Sequence, residues 1–129
     1  MKALNFFVAT LFFSLLSTSA FAQVIPGNGL YEYKSRNGGG EIEVKNATAT
    51  GFDFVLNVSQ GMQSGSIEEG KTNKKGKVYV YKVVDEEMKM DCELSFDFKG
   101  SLLKVIAKND SCGFGMGITA TGVYKFKSD

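Results

Sequence analysis

The stretch Asp91–Lys108, DCELSFDFKGSLLKVIAK, decides the fold. Leu94, Phe96 and Phe98 alternate with Glu93, Ser95 and Asp97. Strict alternation of apolar and polar residues places one set on each face of a half-buried β-strand. Gly100-Ser101 turns the chain, and Leu102–Lys108 returns with Leu103, Val105 and Ala107 as its inward set. Two such runs joined by two residues read as a hairpin.

The same period extends outward in both directions. Leu30–Arg36 sets Tyr31 and Tyr33 against Glu32 and Lys34, and Asn37-Gly38 is a tight-turn signal. Glu41–Ala47 sends Ile42 and Val44 inward. Gly51–Ser59 sends Phe52, Phe54, Leu56 and Val58 to one face. Gly65–Glu69 is a weaker strand around Ile67, and Lys71–Gly76 reads as a polar turn. Lys77–Val84 is apolar on both faces, with Val78 and Val80 against Tyr79 and Tyr81. Asp85–Lys89 reads as one uncapped helical turn. Gly117–Lys127 closes the chain, with Ile118, Ala120, Tyr124 and Phe126 inward. No window sustains a helical period. Eight short strands with short connections predict an all-β fold. The expected form is a single antiparallel up-and-down barrel, or strongly curled sheet, with a two-layer sandwich as the alternative. The inward residues are bulky (Ile42, Val44, Phe52, Phe54, Leu56, Leu94, Phe96, Phe98, Phe126), so a filled interior is expected and binding falls to loops and the outer face.

Residues 1–22 read as a secretory signal peptide: Lys2, the apolar run Phe6–Leu16, and the small-residue exit Ala20-Phe21-Ala22. The apolar run is shorter than the roughly 20 residues a membrane span needs. No Cys follows the expected cleavage site, so no lipid anchor is expected. The mature domain is then residues 23–129, periplasmic or secreted. Losing Lys2 from the 15 basic residues leaves them equal in number to the 14 acidic ones. A neutral chain is a poor candidate for nucleic acid, whose recognition rests on phosphate neutralisation. The 15 glycines all stay, about twice the usual share for such a length.

In an exported chain, Cys92 and Cys112 are expected to form a disulfide. Its loop-closure contribution is about 3 kcal/mol. It fixes the start of Gly113–Gly117, GFGMG, in which Phe114 and Met116 stand between glycines. Two readings stay open there: apolar anchors for a protein partner, with Ser111 and Lys108 as polar contacts, or a plug in the barrel end.

With no His there is no Ser-His-Asp triad, Cys-His pair or imidazole metal site. No catalytic residue, metal or cofactor is expected. Asp85, Glu86 and Glu87 form an acidic run and Lys74, Lys75 and Lys77 a basic one, both read as solvated loops that polarise the surface. Met88 and Met90 could hold copper(I), but read better as packing filler. Tyr31, Tyr33, Tyr79 and Tyr81 leave two readings open: an exposed aromatic stripe suited to carbohydrate or protein contact, or packing at the barrel end. Asn46-Ala47-Thr48, Asn57-Val58-Ser59 and Asn109-Asp110-Ser111 are glycosylation acceptors only in a eukaryotic secretory route.

Four features together resemble small exported bacterial barrels of the periplasmic lysozyme-inhibitor-like kind. They are Gly29-x-Tyr31, the strand of Cys92, Leu94, Phe96 and Phe98, the turn Cys112-Gly113-x-Gly115, and the closing Gly122-x-Tyr124-x-x-Lys127. The resemblance spans Gly29–Lys127. It implies an eight-stranded barrel that binds a cell-wall hydrolase. Membrane-bound inhibitors of C-type lysozyme insert a Ser- and Lys-bearing loop into the enzyme cleft. That segment has no residue-by-residue counterpart here, and the lipid Cys of many members is missing. The expected function is therefore a non-enzymatic exported binding protein, an inhibitor of lysozyme or another cell-wall hydrolase. A lipocalin-like small-ligand binder is the alternative, and a carboxylate-only hydrolase comes third.

Overall fold

A computed structural model describes residues 26–115 and 117–129. The signal-peptide reading and Met116 lie outside the described residues. The described chain is all β. Nine strands form one antiparallel sheet: β1 Gly29–Ser35, β2 Gly38–Thr48, β3 Gly51–Gln60, β4 Gln63–Lys71, β5 Asn73–Lys75, β6 Val78–Asp85, β7 Met90–Lys99, β8 Leu102–Ser111 and β9 Gly122–Ser128. The sheet order is β4-β3-β2-β1-β9-β8-β7-β6-β5. Its two edge strands, β4 and β5, are consecutive in the chain and separated only by Thr72. They act as one bent strand, so the sheet curls back on itself as a nearly closed up-and-down barrel rather than a sandwich.

Thr72 makes the bend. It is 5 % exposed, and its hydroxyl accepts from the Phe52 amide at 3.0 Å. Its own amide donates to the Phe52 carbonyl at 2.9 Å. A Cβ on Gly51 would stand 2.2 Å from the Thr72 carbonyl oxygen, so only glycine lets the corner close there. The expected polar turn over Lys71–Gly76 is thereby corrected. Three of its residues form β5, paired as Asn73↔Val80, Lys74↔Tyr79 and Lys75↔Val78. Exposed lysines carry no alternation, which is why the strand was hidden.

Two further corrections concern ends. The last strand begins at Gly122, not Gly117. Ile118 and Ala120 are buried as expected, but from a loop lying on the barrel mouth. Phe126 follows the inward parity of Tyr124, yet it sits at the rim and is 40 % exposed. Its ring meets Tyr31 edge-on at 5.4 Å. Phe98 is likewise only partly buried at that rim. The turn after β1 is Arg36-Asn37, since Ser35 pairs with Gly38. The Asp85–Lys89 turn is capped after all: Asp85 Oδ1 accepts from the amides of Glu87 and Met88.

The interior is filled. Ile42, Leu56, Leu94, Phe96, Leu103, Val105 and Tyr124 are fully buried. Tyr31, Tyr33, Tyr79, Tyr81 and Tyr124 all belong to the core or pack on it, so no exposed tyrosine stripe exists among the described residues. Each tyrosine pair shares the inward parity of its own strand, and the barrel-packing alternative is the one that holds.

Candidate functional site

Strand direction alternates, so connections fall at alternate ends. Arg36-Asn37, Gly61-Met62, the turn after Asp85 and the loop from Cys112 to Thr121 share one end. A hydrogen bond from the Gly61 amide to the Asn37 carbonyl, 2.6 Å, ties two of them. The turns at Ala49-Thr50, Gly76-Lys77 and Gly100-Ser101 share the other end with both termini of the barrel.

That second end is closed by aromatic rings. Phe52 meets Phe54, Tyr79, Phe96 and Phe98 at centroid distances of 5.4–6.1 Å. Tyr31 meets Phe98 at 5.8 Å. The Tyr31 hydroxyl donates to the Gly27 carbonyl and the Tyr79 hydroxyl to the Ala49 carbonyl, at 2.9 and 3.2 Å. Burial raises the pKa of both phenols.

The first end is closed by a loop. Cys92 of β7 is disulfide-bonded to Cys112, as expected. From there the chain crosses the mouth. Phe114 lies under Gly65 of β4, where an added Cβ would be 2.4 Å from its ring. Phe114 is partly buried and packs on the core, so it is a plug with an accessible edge. The loop returns through Ile118 and Ala120. The Ala120 carbonyl accepts from the fully buried Tyr124 hydroxyl at 2.8 Å. Burial drives that phenol's pKa well up, with Tyr33 adding to it.

Between this loop and the β6–β7 turn is a cleft of about 470 Å³, lined by Met88, Met90, Ser111, Phe114, Ile118 and Thr119 among others. Two of the four sequence candidates, Phe114 and Ser111, thus share one cleft. Lys108 does not join them: it points along the outer wall of β8 toward Glu93, 3.8 Å away. Reasoning from sequence missed Met88 and Met62 as surface groups. Met88 is 69 % exposed, so it is not the packing filler expected, and Met62, at a hairpin tip, is fully exposed. Apart from Met1, the chain's methionines are Met62, Met88, Met90 and Met116. Met62, Met88 and Met90 stand at this end. The available signal was their placement in polar turn segments, Met62 beside Gly61 and Met88 within Asp85–Lys89. Asp85, Glu86 and Glu87 also lie at this end, while Lys74, Lys75 and Lys77 lie at the other. The molecule is therefore polarised along the barrel axis.

A larger groove, about 630 Å³, runs over the outer face of β1–β4. Register places Glu32, Glu41, Asn57 and Ser66 in one row across it. Lys127 lies 3.2 Å from Glu32 and Lys34 3.7 Å, and the Lys127 hydrogen bond leads in holding the Glu32 pKa below its ordinary value. Among the described residues no group of three or more Cys, Asp or Glu side chains is placed to hold a metal. Among the same residues no helix is long and apolar enough to cross a membrane. Comparison of the chain with known protein families, curated proteins and solved structures finds no match.

Proposed function

We infer that this is an exported, non-enzymatic binding protein that engages a protein partner, an inhibited cell-wall hydrolase, through its disulfide-pinned loop end. One observation carries the reading: Met62, Met88 and Met90 stand at that end, the last two lining a cleft with the half-buried Phe114 of the disulfide-pinned loop. Exposing Met62 and Met88 forgoes burial without any structural return, and methionine-rich surfaces suit adaptable protein contact. The loop's backbone is held at Cys112 and by the buried Ile118 and Ala120, so docking orders little further chain.

The filled interior weighs against a lipocalin-like cup. A ligand cup needs several hundred Å³ of enclosed, mainly apolar space, whereas the clefts of that size described above lie on the wall or at the end. The outer groove weighs against carboxylate catalysis. A general acid needs its pKa raised by burial, and Glu32 is shifted the opposite way. The hydrolase identity rests on the family resemblance.

The test is direct. A C-type lysozyme digesting peptidoglycan should be slowed by an equimolar amount of the mature protein. Undiminished digestion, together with no retention of the lysozyme on immobilised protein, would remove the hydrolase reading.

A further inference from the structure

The barrel is not hydrogen-bonded all the way round. β5 pairs with β6 only over Val78–Val80, while Tyr81–Asp85 of β6 pairs with β7 alone. β4 pairs with β3 alone and is a sheet edge. β4 and β6 are not paired in the sheet, and among the described residues no backbone hydrogen bond joins them. Above Thr72, then, the wall has a seam with two facing free edges.

Charge accounts for the opening. Carrying the β5–β6 register past Thr72↔Tyr81 would set Lys71 opposite Lys82, then bring Asp85 level with Glu68. Like charges directly opposite in a sheet are destabilising. Each lysine instead turns away from the seam: Lys71 to Asp53 of β3 at 3.0 Å, Lys82 to Glu93 of β7 at 3.3 Å. The bulge in β4 works the same way, since Glu68 and Glu69 together stand against Val55. What remains around the seam is acidic: Glu68 and Glu69 on the β4 bank, Asp85, Glu86 and Glu87 at the mouth on the β6 side. Bulges and charges are the usual guards of a sheet edge. However, Gln63–Ile67, the upper part of the β4 edge, carries neither. Phe114 sits on the inner side of Gly65 and Gly115 lies beside the Gln63 side chain, while Gln63, Ser64 and Ser66 stay exposed.

We propose that this seam accepts an extended peptide segment of alternating basic and apolar residues, which adds as a strand and completes the ring. Its main chain would satisfy the free groups of both banks, as in other strand additions. The banks run in opposite directions, so the segment pairs antiparallel with one and parallel with the other. Its apolar set would face Tyr81 and Phe114, both only partly buried, and its basic set the carboxylates. The seam adjoins the methionine-lined cleft at Phe114, and the proposal does not depend on a hydrolase partner.

The test follows backbone amide exchange in the mature protein titrated with two hexapeptides, (Lys-Val)3 and (Glu-Val)3. The basic peptide should protect amides within Gln63–Ile67 and Tyr81–Asp85, and the acidic one should not. Glu68→Lys with Glu69→Lys should weaken the basic peptide about fivefold or more. Should that variant misfold, raised salt on the unaltered protein should weaken binding instead. No added protection, equal protection by both peptides, protection confined to other strands, or a free protein already protected there as a dimer would each overturn the proposal.

Discussion

The two ends of the barrel are closed by different means. At one end, rings from β1, β3, β6 and β7 interlock, with Phe52 touching four other aromatics. At the other, a loop is drawn across the mouth and held by one disulfide and one half-buried Phe. Interlocked rings cover most of one another, leaving Phe98 and Phe126 partly accessible at the rim. A strapped loop leaves side chains over, and the exposed methionines are there. The end that holds the fold together and the end that offers a surface are therefore different ends.

The largest expected effect tests the first half of that contrast. Phe52→Ala removes the hub of the aromatic end and should cost about 3–5 kcal/mol in denaturant unfolding. A cost near that of an exposed site would mean the rings are not a core. Replacing Cys92 and Cys112 together by Ser should cost about 2–4 kcal/mol. Amide exchange should locate that loss: faster in the loop and the adjoining end of β8, little changed around Phe52 and Tyr31. A uniform rise would erase the distinction between the ends.

The pH dependence spans both ends. Burial raises the pKa of Tyr31, Tyr79, Tyr81 and Tyr124 in the folded chain. A raised phenol stabilises fully below its unfolded pKa, and that stability is lost as pH climbs toward the folded value. With no His in the chain, stability should be nearly flat from about pH 6 to 9 and fall above about pH 10. A urea midpoint unchanged up to pH 12 would contradict the burial of these rings. The smallest expected effect is the control: Asp97→Ala, on the outer face with only Lys99 at 3.9 Å, should stay within about 0.5 kcal/mol.

How far the sequence could be read follows the same division. Alternation exposed the walls, because Leu94, Phe96, Leu103 and Val105 obey period two and are buried. Alternation also misled at Ile118 and Ala120, since a loop flattened on the barrel mouth buries every second residue just as a strand does. It was silent for β5, where all three residues face water. The disulfide was legible from two cysteines and the expectation of export. The cleft was legible only in part: Phe114 and Ser111 belong to the loop that the disulfide fixes, but Met88 enters from a distant hairpin. Only the folded topology brings that hairpin beside the loop, and the seam likewise follows from register rather than composition.

Phe114 at the loop and Phe126 at the aromatic rim are both partly accessible. Calorimetric titration of a C-type lysozyme into the unaltered protein, Phe114→Ala and Phe126→Ala compares the two ends with matched substitutions. Loss of Phe114 should weaken binding about fivefold or more, and loss of Phe126 should leave affinity unchanged. Weakening by Phe126→Ala alone, or no binding by any of the three, would contradict the assignment of the binding surface to the loop end.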